Sequence, residues 1–283
     1  MTDQDAVPPS LAGWRFLRKV MATDFSEIWQ AEDLKLQRVV AFKIFTPQAD
    51  DSGIIPPFPV AEWQRRFIQE AQLLARFDHP HIIPVVALTR LDDGRPCMVM
   101  QYMTASLQRE IGVDLFDPAK VEAMAPEYRP RAVPPARARQ ILLEALSALI
   151  VVHGRGIVHR DVKPRNLLLS NGPGSRVKLA DFGMAKTPDE PPAAEAIWIG
   201  TRDYISPEQY ANATLVTDRA DIFSLGVIGI RMVTGYFPDR ERLRAVEGLP
   251  DAFAELLRQA LAYQPDQRPG AVEMAARLAA IRL

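Results

Sequence analysis

The character of the chain changes near residue 103, and this change limits the folds that it can adopt. Before that point, short runs rich in β-branched and aromatic residues predict strands at 14–20, 27–32, 38–45, 82–88 and 97–102. A single helix is predicted among them at 61–77, where Phe67, Ala71 and Leu74 recur at helical spacing. Beyond that point, helices are predicted at 137–155, 206–211, 221–234, 251–262 and 271–283. We therefore expect an α+β protein with a small strand-rich lobe and a larger helical lobe.

The same pattern predicts the boundaries of these parts. Residues 1–13 are an N-terminal tail, residues 14–102 form the strand-rich lobe, and residues 103–283 form the helical lobe. With 283 residues, of which 48% are hydrophobic, the chain can bury a core without disulfides or structural metals. Its only cysteine, Cys97, excludes an intramolecular disulfide and fits a reducing compartment.

Charge and hydropathy exclude several classes of partner. The net charge of −1 provides no bulk attraction to nucleic acid or to an anionic membrane. The longest helix-like apolar run, at 141–152, contains Glu144 and is shorter than the ~20 residues of a membrane span. The first residues show no signal-peptide pattern. We expect no nucleic-acid partner, no membrane segment in this chain, and a cytoplasmic location, alone or as a cytosolic domain of a longer protein.

A set of short motifs carries the chemistry. The stretch HRDVKPRN at 159–166 is followed by DFG at 181–183, and VAFK at 40–43 precedes Glu70 in the predicted helix. The segments GTRDYISPE and DIFSLG follow at 200–208 and 221–226, and Arg268 comes later. In content and order these motifs resemble those of the protein kinase family. Each has a plainer interpretation when taken alone, such as a solvated strand lysine for Lys43, but the whole set favours the two-lobed kinase fold.

The resemblance implies a role for each of five catalytic side chains. Phosphoryl transfer needs alignment of the reactants and neutralisation of phosphate charge rather than covalent chemistry by the protein. Asp161 is then the acceptor of the substrate hydroxyl proton, and Lys163 steadies the γ-phosphate. Lys43, positioned by Glu70, holds the α- and β-phosphates. Thr201 is implied to brace Asp161 and Lys163.

The resemblance also implies ATP as a substrate and Mg²⁺ as its metal, with Mn²⁺ as an alternative. Asp181 and Asn166 supply hard oxygen ligands, which Mg²⁺ prefers. Besides Lys43, the residues implied to contact the nucleotide are Val20, Ile28, Ala41, Met100, Gln101, Met103, Ser106 and Leu168.

The chain departs from the family in its phosphate-covering loop, where the three family glycines fall on Met21, Thr23 and Ser26. Residues other than glycine are strained where the backbone needs a positive φ. We therefore expect a loop with a different path or looser closure, and a lowered affinity for ATP. The missing glycines also leave open an alternative, a nucleotide-binding pseudokinase scaffold with little or no transfer activity. A small-molecule kinase is a third interpretation, which Lys163 and the segment 200–208 disfavour.

A second departure lies between the DFG motif and residue 200. Thr187 is the only hydroxyl side chain in residues 183–199. Our hypothesis is that activity does not depend strongly on phosphorylation there, because carboxylates can offer Arg160 a fixed negative charge instead: Asp189, Glu190 and Glu195. The alternative is that Thr187 is the phosphorylated residue.

We therefore interpret the chain as an ATP-dependent serine/threonine protein kinase domain of bacterial signalling that phosphorylates protein substrates and itself. An excess of arginine over lysine, 27 against 7, weakly supports a bacterial source. The resemblance leaves a kinase dimer open. Residues 112–136 are an insertion in which the sequence indicates no chemistry.

Overall fold

The computed structural model describes residues 8–23, 25–47, 59–115, 117–170, 175–189, 203–212, 216–237 and 240–283. The chain forms two compact units, Met1–Met103 and Thr104–Leu283. Within the described ranges, we find no helix of sufficient length and apolar character to cross a membrane.

A five-stranded antiparallel sheet in the order β1-β2-β3-β5-β4 forms most of the first unit. Its strands are β1 (Trp14–Ala22), β2 (Ser26–Asp33), β3 (Arg38–Phe45), β4 (Val85–Arg90) and β5 (Pro96–Gln101). Helix α1 (Val60–Leu74) lies between β3 and β4 in the sequence. Strand β4 begins later than predicted. Ile82 and Ile83 precede it and are buried, so their apolar character made the predicted strand too long.

One face of this sheet is an apolar core. Alternate residues of β3, namely Val40, Phe42 and Ile44, are buried with Trp29 and Cys97 in one cluster. The alternation follows from the strand period of two, which sends every second side chain to the same face. Burial raises the pKa of the Cys97 thiol to about 11, so this side chain stays protonated and packs as a small apolar group.

The second unit is mainly helical. Its helices are α2 (Gln108–Ile111), α3 (Pro118–Glu122), α4 (Pro135–His153), α5 (Pro207–Ala211), α6 (Arg219–Thr234), α7 (Asp251–Ala260) and α8 (Ala271–Ala280). A small antiparallel sheet in the order β6-β7-β8 consists of β6 (Ala105–Ser106), β7 (Leu167–Leu169) and β8 (Val177–Leu179). Helix α4 packs against α6, α8 and β8, and α6 also packs against α7. Helices α4 and α6 therefore lie in the interior of this unit, in agreement with the buried residues on several sides of each helix.

The insertion at residues 112–136 contains two short elements, α3 and a 3-10 turn at Pro126–Tyr128. Asp117 caps α3, since its carboxylate accepts hydrogen bonds from the Ala119 and Lys120 amides. Elements of three to five residues are too short to show a helical period in the sequence, which explains why none is predicted here. With a strand-rich first unit and a helical second unit, the predicted α+β class is confirmed.

Candidate active site

Lys43 and Glu70 form a buried ion pair in the first unit. The Lys43 ammonium donates to both carboxylate oxygens of Glu70, with Nζ–Oε2 and Nζ–Oε1 distances of 2.7 and 3.0 Å. The two side chains are only 12% and 3% exposed. Glu70 faces inward because it lies on the same face of α1 as Phe67 and Leu74, which are also buried. Breaking a buried pair of this kind costs about 3–5 kcal/mol, so each charge stabilises the other in place.

The predicted nucleotide contacts around Lys43 share one face of the sheet. Cross-strand pairing places Ile28 opposite Lys43 and Ala41 opposite Met100. Because side chains alternate along a strand, Ala41 and Lys43 point to the face opposite the core residue Phe42. Ala41 and Met100 are buried, and Ile28 is half-buried. The structure thus brings four of the predicted residues together on one surface.

Three further predicted contacts lie toward the ends of strands. Val20 lies at an irregularity in the β1–β2 register and is exposed. Gln101 is the last residue of β5, and its amide donates to the Pro84 carbonyl at 3.3 Å. Met103 follows two residues later and is half-buried. Their contacts with a nucleotide stay predictions.

The turn between β1 and β2 closes without glycine. The Thr23 amide donates to the Ser26 carbonyl at 2.8 Å, and Thr23 Oγ1 accepts from the Ser26 amide at 3.1 Å. The two hydroxyl oxygens lie 3.0 Å apart. Among the residues of this turn that the structure describes, which omit residue 24, none has a positive φ. Side-chain hydrogen bonds therefore join the two sides of the described part of the turn. The expected looser closure over ATP and the lowered affinity stay predictions.

Phe25 connects this turn to helix α1. Its ring stacks on that of Trp63 with centroids 4.2 Å apart and an interplanar angle of 21°. Its carbonyl accepts a hydrogen bond from the Thr46 amide at 2.9 Å. Trp63 is buried and belongs to the same helix as Glu70. The turn is therefore joined to the helix that carries the partner of Lys43, a contact that the sequence analysis missed.

Asp161 is the centre of a polar cluster in the second unit. Lys163 Nζ donates to Asp161 Oδ2 at 2.7 Å. Asn166 Nδ2 donates to the same oxygen at 3.0 Å and to the Asp161 carbonyl at 2.8 Å. The cluster forms because a 3-10 turn at Pro164–Asn166 brings Asn166 back toward Asp161. Three predicted site residues are thus in mutual contact.

Burial raises the pKa of the Asp161 carboxyl above its ordinary value. The positive charge of Lys163 opposes this shift, and the negative charge of Asp181 adds to it. A carboxylate with a raised pKa is a stronger base than an exposed one. The environment of Asp161 therefore suits the acceptance of a proton.

Asp181 and Asn166 are brought together by the β7–β8 hairpin. The Ala180 amide donates to the Asn166 carbonyl at 2.9 Å, and Asp181 follows with a left-handed φ of 66°. Because the side-chain nitrogen of Asn166 donates to Asp161, its amide oxygen is the atom that this side chain offers to a cation.

These two oxygen donors fit a divalent cation. The negative charge of Asp181 raises the pKa of the nearby Asp161. A bound cation would offset this negative charge. In the part of the chain that the structure describes, no group of three or more His, Cys, Asp or Glu side chains could hold a metal. Mg²⁺ commonly binds through one or two carboxylates and completes its shell with water and phosphate oxygens. The donor set therefore fits a metal that is shared with a phosphate substrate.

Ser106 and Leu168, the predicted nucleotide contacts of the second unit, are neighbours. They pair across β6 and β7, and both are half-buried. Strand β7 directly follows Asn166, and β8 leads through Ala180 to Asp181. The small sheet thus presents these two residues beside the predicted metal ligands.

Asp221 anchors the backbone of the catalytic loop, as the resemblance implies. Its fully buried carboxylate accepts from the His159 amide at 2.8 Å, the Arg160 amide at 2.9 Å and His153 Nε2 at 2.8 Å. Burial acts to raise the pKa of the Asp221 carboxyl. The hydrogen bonds and the nearby histidines outweigh burial, so this pKa lies below its ordinary value. Arg160 has a left-handed φ of 64°, which is unfavourable for arginine and is held by these contacts. His153 is the last residue of α4, and nothing in the sequence indicates its contact with Asp221.

The remaining predicted residues divide into two groups. Glu208 pairs with the buried Arg268 through two hydrogen bonds of 2.7 and 2.8 Å. Burial acts to raise the pKa of Glu208, yet the bonds from Arg268 lower it below its ordinary value. Thr201, Glu190 and Glu195 lie outside the described residues, so their predicted roles stay predictions.

Comparison with known proteins identifies the class of this chain. A family model described as "Protein kinase domain" matches residues 15–277. The chain belongs to the protein kinase family, which confirms the family and the two-lobed α+β fold class expected from its motifs. Membership of this family implies the use of ATP and a divalent metal.

Several bacterial proteins are similar to the chain. The serine/threonine-protein kinase pkn2 of Myxococcus xanthus is 31% identical over 231 residues, covering 80% of this chain and 25% of that protein. The serine/threonine-protein kinase PknD of Mycobacterium tuberculosis is 30% identical over 277 residues, covering 95% and 36%. The serine/threonine-protein kinase PknB of Mycobacterium leprae is 34% identical over 218 residues, covering 75% and 31%. The chain therefore spans roughly a quarter to a third of the length of these relatives.

Proposed function

We propose that this chain transfers the γ-phosphoryl group of ATP to serine and threonine hydroxyls of proteins, itself included, in bacterial signalling. The observation that carries this proposal is the contact of Asp161 with Lys163 and Asn166, together with the raised pKa of the Asp161 carboxyl. The names of the bacterial relatives support the serine/threonine class.

In the proposed reaction, Asp161 accepts the proton of a serine or threonine hydroxyl as its oxygen attacks the γ-phosphorus. A P–O bond forms to that oxygen, the bond from the γ-phosphorus to the bridging oxygen breaks, and ADP leaves with the electron pair. Lys163 Nζ lies 2.7 Å from Asp161 Oδ2. Its positive charge is therefore beside the reacting hydroxyl, where it can stabilise the transferring phosphoryl group. Thr201 retains its proposed role as a brace of Asp161 and Lys163. Positioning and electrostatic stabilisation supply most of the catalysis in this chemistry.

The first unit is proposed to bind the nucleotide through Lys43, whose ammonium carries a charge fixed by Glu70. Its other proposed contacts are Val20, Ile28, Ala41, Met100, Gln101 and Met103. Ser106 and Leu168 are the proposed contacts from the second unit. The support for these assignments is the clustering of Ile28, Ala41 and Met100 with Lys43 on one sheet face.

Mg²⁺ is the proposed metal, with Mn²⁺ as a substitute, held by Asp181 and Asn166. When bound, it would neutralise phosphate charge and polarise the phosphoryl group. The support is the hard-oxygen chemistry of the two donors and the local excess of negative charge at Asp161 and Asp181.

The test is incubation with γ-labelled ATP, a generic protein substrate and either Mg²⁺ or Mn²⁺, followed by analysis of the labelled amino acids. We expect label on serine and threonine of the substrate and of the chain itself. Nucleotide binding with no transfer in either metal would instead establish a scaffold. Label on small metabolites but on no protein would also contradict the proposal.

We further propose a cytoplasmic location for this domain, supported by its use of ATP and by its single cysteine, which excludes an intramolecular disulfide. A kinase dimer stays a prediction, which the mass measured by light scattering tests directly.

A further inference from the structure

The insertion at residues 112–136 supplies a carboxylate to the interior of the second unit. Arg231, in the last turn of α6, is fully buried. Its Nε donates to Asp114 Oδ1 at 3.1 Å, and its Nη2 donates to the Ile111 carbonyl at 2.8 Å. Two more carbonyls accept from this guanidinium at 3.3 Å, those of Val113 and Arg131. A guanidinium buried this deeply requires a counter-charge, and the insertion provides it.

The backbone of the insertion is shaped to hold this carboxylate. Gly112 has a left-handed φ of 77°, and a Cβ at this position would collide with the Arg129 carbonyl. The Arg131 amide donates to the Ile111 carbonyl at 2.9 Å, which joins the two ends of the loop. Asp114 is therefore fixed by the closed loop as well as by its ion pair.

The second oxygen of Asp114 holds Tyr204. The Tyr204 hydroxyl donates to Asp114 Oδ2 at 2.7 Å. Burial and then the Asp114 charge raise the pKa of Tyr204 far above its usual range, so the phenol keeps its proton and remains a donor. The Tyr204 carbonyl accepts from Ser224 Oγ at 2.8 Å, and its ring lies against Phe237. One carboxylate thus joins a buried arginine of α6 to a tyrosine outside it.

Tyr204 lies in a segment that reaches the catalytic loop. Five residues later, Gln209 Nε2 donates to the Arg160 carbonyl at 2.7 Å. Arg160 immediately precedes Asp161, and its amide is held by Asp221 of α6. The segment 203–209 is therefore fixed near its start by the bond from Tyr204 to Asp114, and at its end by the bond from Gln209 to Arg160.

We propose that Asp114 is a positioning residue, and that the insertion serves to hold segment 203–209 in register with the catalytic loop, whose Asp161 meets the hydroxyl of the protein substrate. This inference rests on the proposed function. Neither Asp114 nor Tyr204 contacts the residues assigned to nucleotide binding among the contacts described above. Loss of the hydrogen bond between Tyr204 and Asp114 is therefore expected to raise KM for the protein substrate more than KM for ATP.

The test compares Tyr204→Phe and Asp114→Asn with Asp117→Asn, a control in the same insertion that removes a carboxylate charge but keeps an oxygen to cap α3. Tyr204→Phe keeps the ring and the Asp114–Arg231 pair, so it folds even if Asp114→Asn, which weakens the pairing of a buried charge, does not. We expect Tyr204→Phe to raise KM for a protein substrate roughly ten-fold or more, as expected for loss of one hydrogen bond to a charged group. KM for ATP should stay within about two-fold, and Asp117→Asn should match the parent.

The double variant Tyr204→Phe/Asp114→Asn adds a second readout. If the two residues act through one contact, its KM for the protein substrate equals that of the worse single variant rather than the product of both effects. An unchanged KM for the protein substrate in Tyr204→Phe, or equal changes in both KM values, would overturn the inference. Failure of the parent protein to transfer phosphate would instead refute the proposed function, which keeps the two outcomes distinct.

Discussion

Asp161 carries its negative charge at a position where burial opposes that charge. Burial raises the pKa of Asp161 in the folded chain above that in the unfolded chain, so the folded state binds the proton more tightly. Protonation of Asp161 therefore stabilises the fold at low pH, and this stabilisation is lost as pH rises through the folded pKa. We predict that Asp161→Asn unfolds at a higher temperature than the parent at pH 7, and that this difference shrinks as pH falls toward 4. Thermal denaturation across this range measures the effect.

The control for this prediction is Asp266→Asn, which removes an exposed carboxylate of the second unit. Its melting temperature should follow that of the parent at every pH. If Asp161→Asn melts below the parent at pH 7, the hydrogen bonds from Lys163 and Asn166 outweigh the cost of burying the charge. The stated balance at Asp161 would then be wrong.

At the scale of residues, the sequence predicts chemical types better than environments. The resemblance of the motifs to those of protein kinases is sufficient to select Lys43, Glu70 and Asp161. It is insufficient to reveal His153 or Asp114. Their roles depend on which buried group each one meets, and that is decided by packing across many residues of sequence separation.

At the scale of elements, the stack of Phe25 on Trp63 connects the turn after β1 to helix α1. Aromatic pairs of this kind contribute about 0.5–1.5 kcal/mol beyond the area that they bury. We predict that Phe25→Ala raises KM for ATP about three- to ten-fold, because the turn loses its attachment to the helix that carries Glu70. Steady-state kinetics at varied ATP concentration measures this change.

Phe25→Tyr is the matched variant, since it keeps the ring and therefore the stack. It should restore KM for ATP to within about two-fold of the parent. Equal KM values for the alanine and tyrosine variants would show that the stack does not position the turn.

The element that follows the DFG motif is held by contacts that need no phosphate. The Val158 and Lys186 backbones exchange hydrogen bonds of 3.0 and 2.8 Å, and Arg160 Nε donates to the Met184 carbonyl at 2.7 Å. We predict that Thr187→Ala keeps the initial transfer rate within about three-fold of the parent, because this region is already ordered. Near-total loss of activity would show instead that Thr187 phosphorylation activates the enzyme.

Element prediction succeeds where a period is long enough to be visible. Strand β3 has the predicted bounds, and the long helices α4 and α6 differ from the prediction only by small errors at their ends, since apolar residues recur over many positions. Helix α3 has five residues and depends on the Asp117 cap, so no period exists to reveal it. The closed turn after β1 is missed for another reason: Thr23 and Ser26 replace glycine through specific hydrogen bonds that composition does not encode.

At the scale of the whole molecule, the order of the motifs determines the family, since they extend over most of residues 15–277. The features that distinguish this chain lie between those motifs. The insertion that carries Asp114 and the turn without glycine are both built from side-chain contacts. Such contacts are only visible once the fold has brought distant residues together.

The most direct test of the account is the initial rate of phosphate transfer from labelled ATP to a protein substrate by Asp161→Asn, with Asp266→Asn as the control. We expect a fall of roughly 10²–10⁴-fold for Asp161→Asn, the usual contribution of a positioned general base, and a parental rate for Asp266→Asn. A rate for Asp161→Asn within a few-fold of the parent, in a protein that is folded by circular dichroism, would contradict the assignment of Asp161 as the catalytic base.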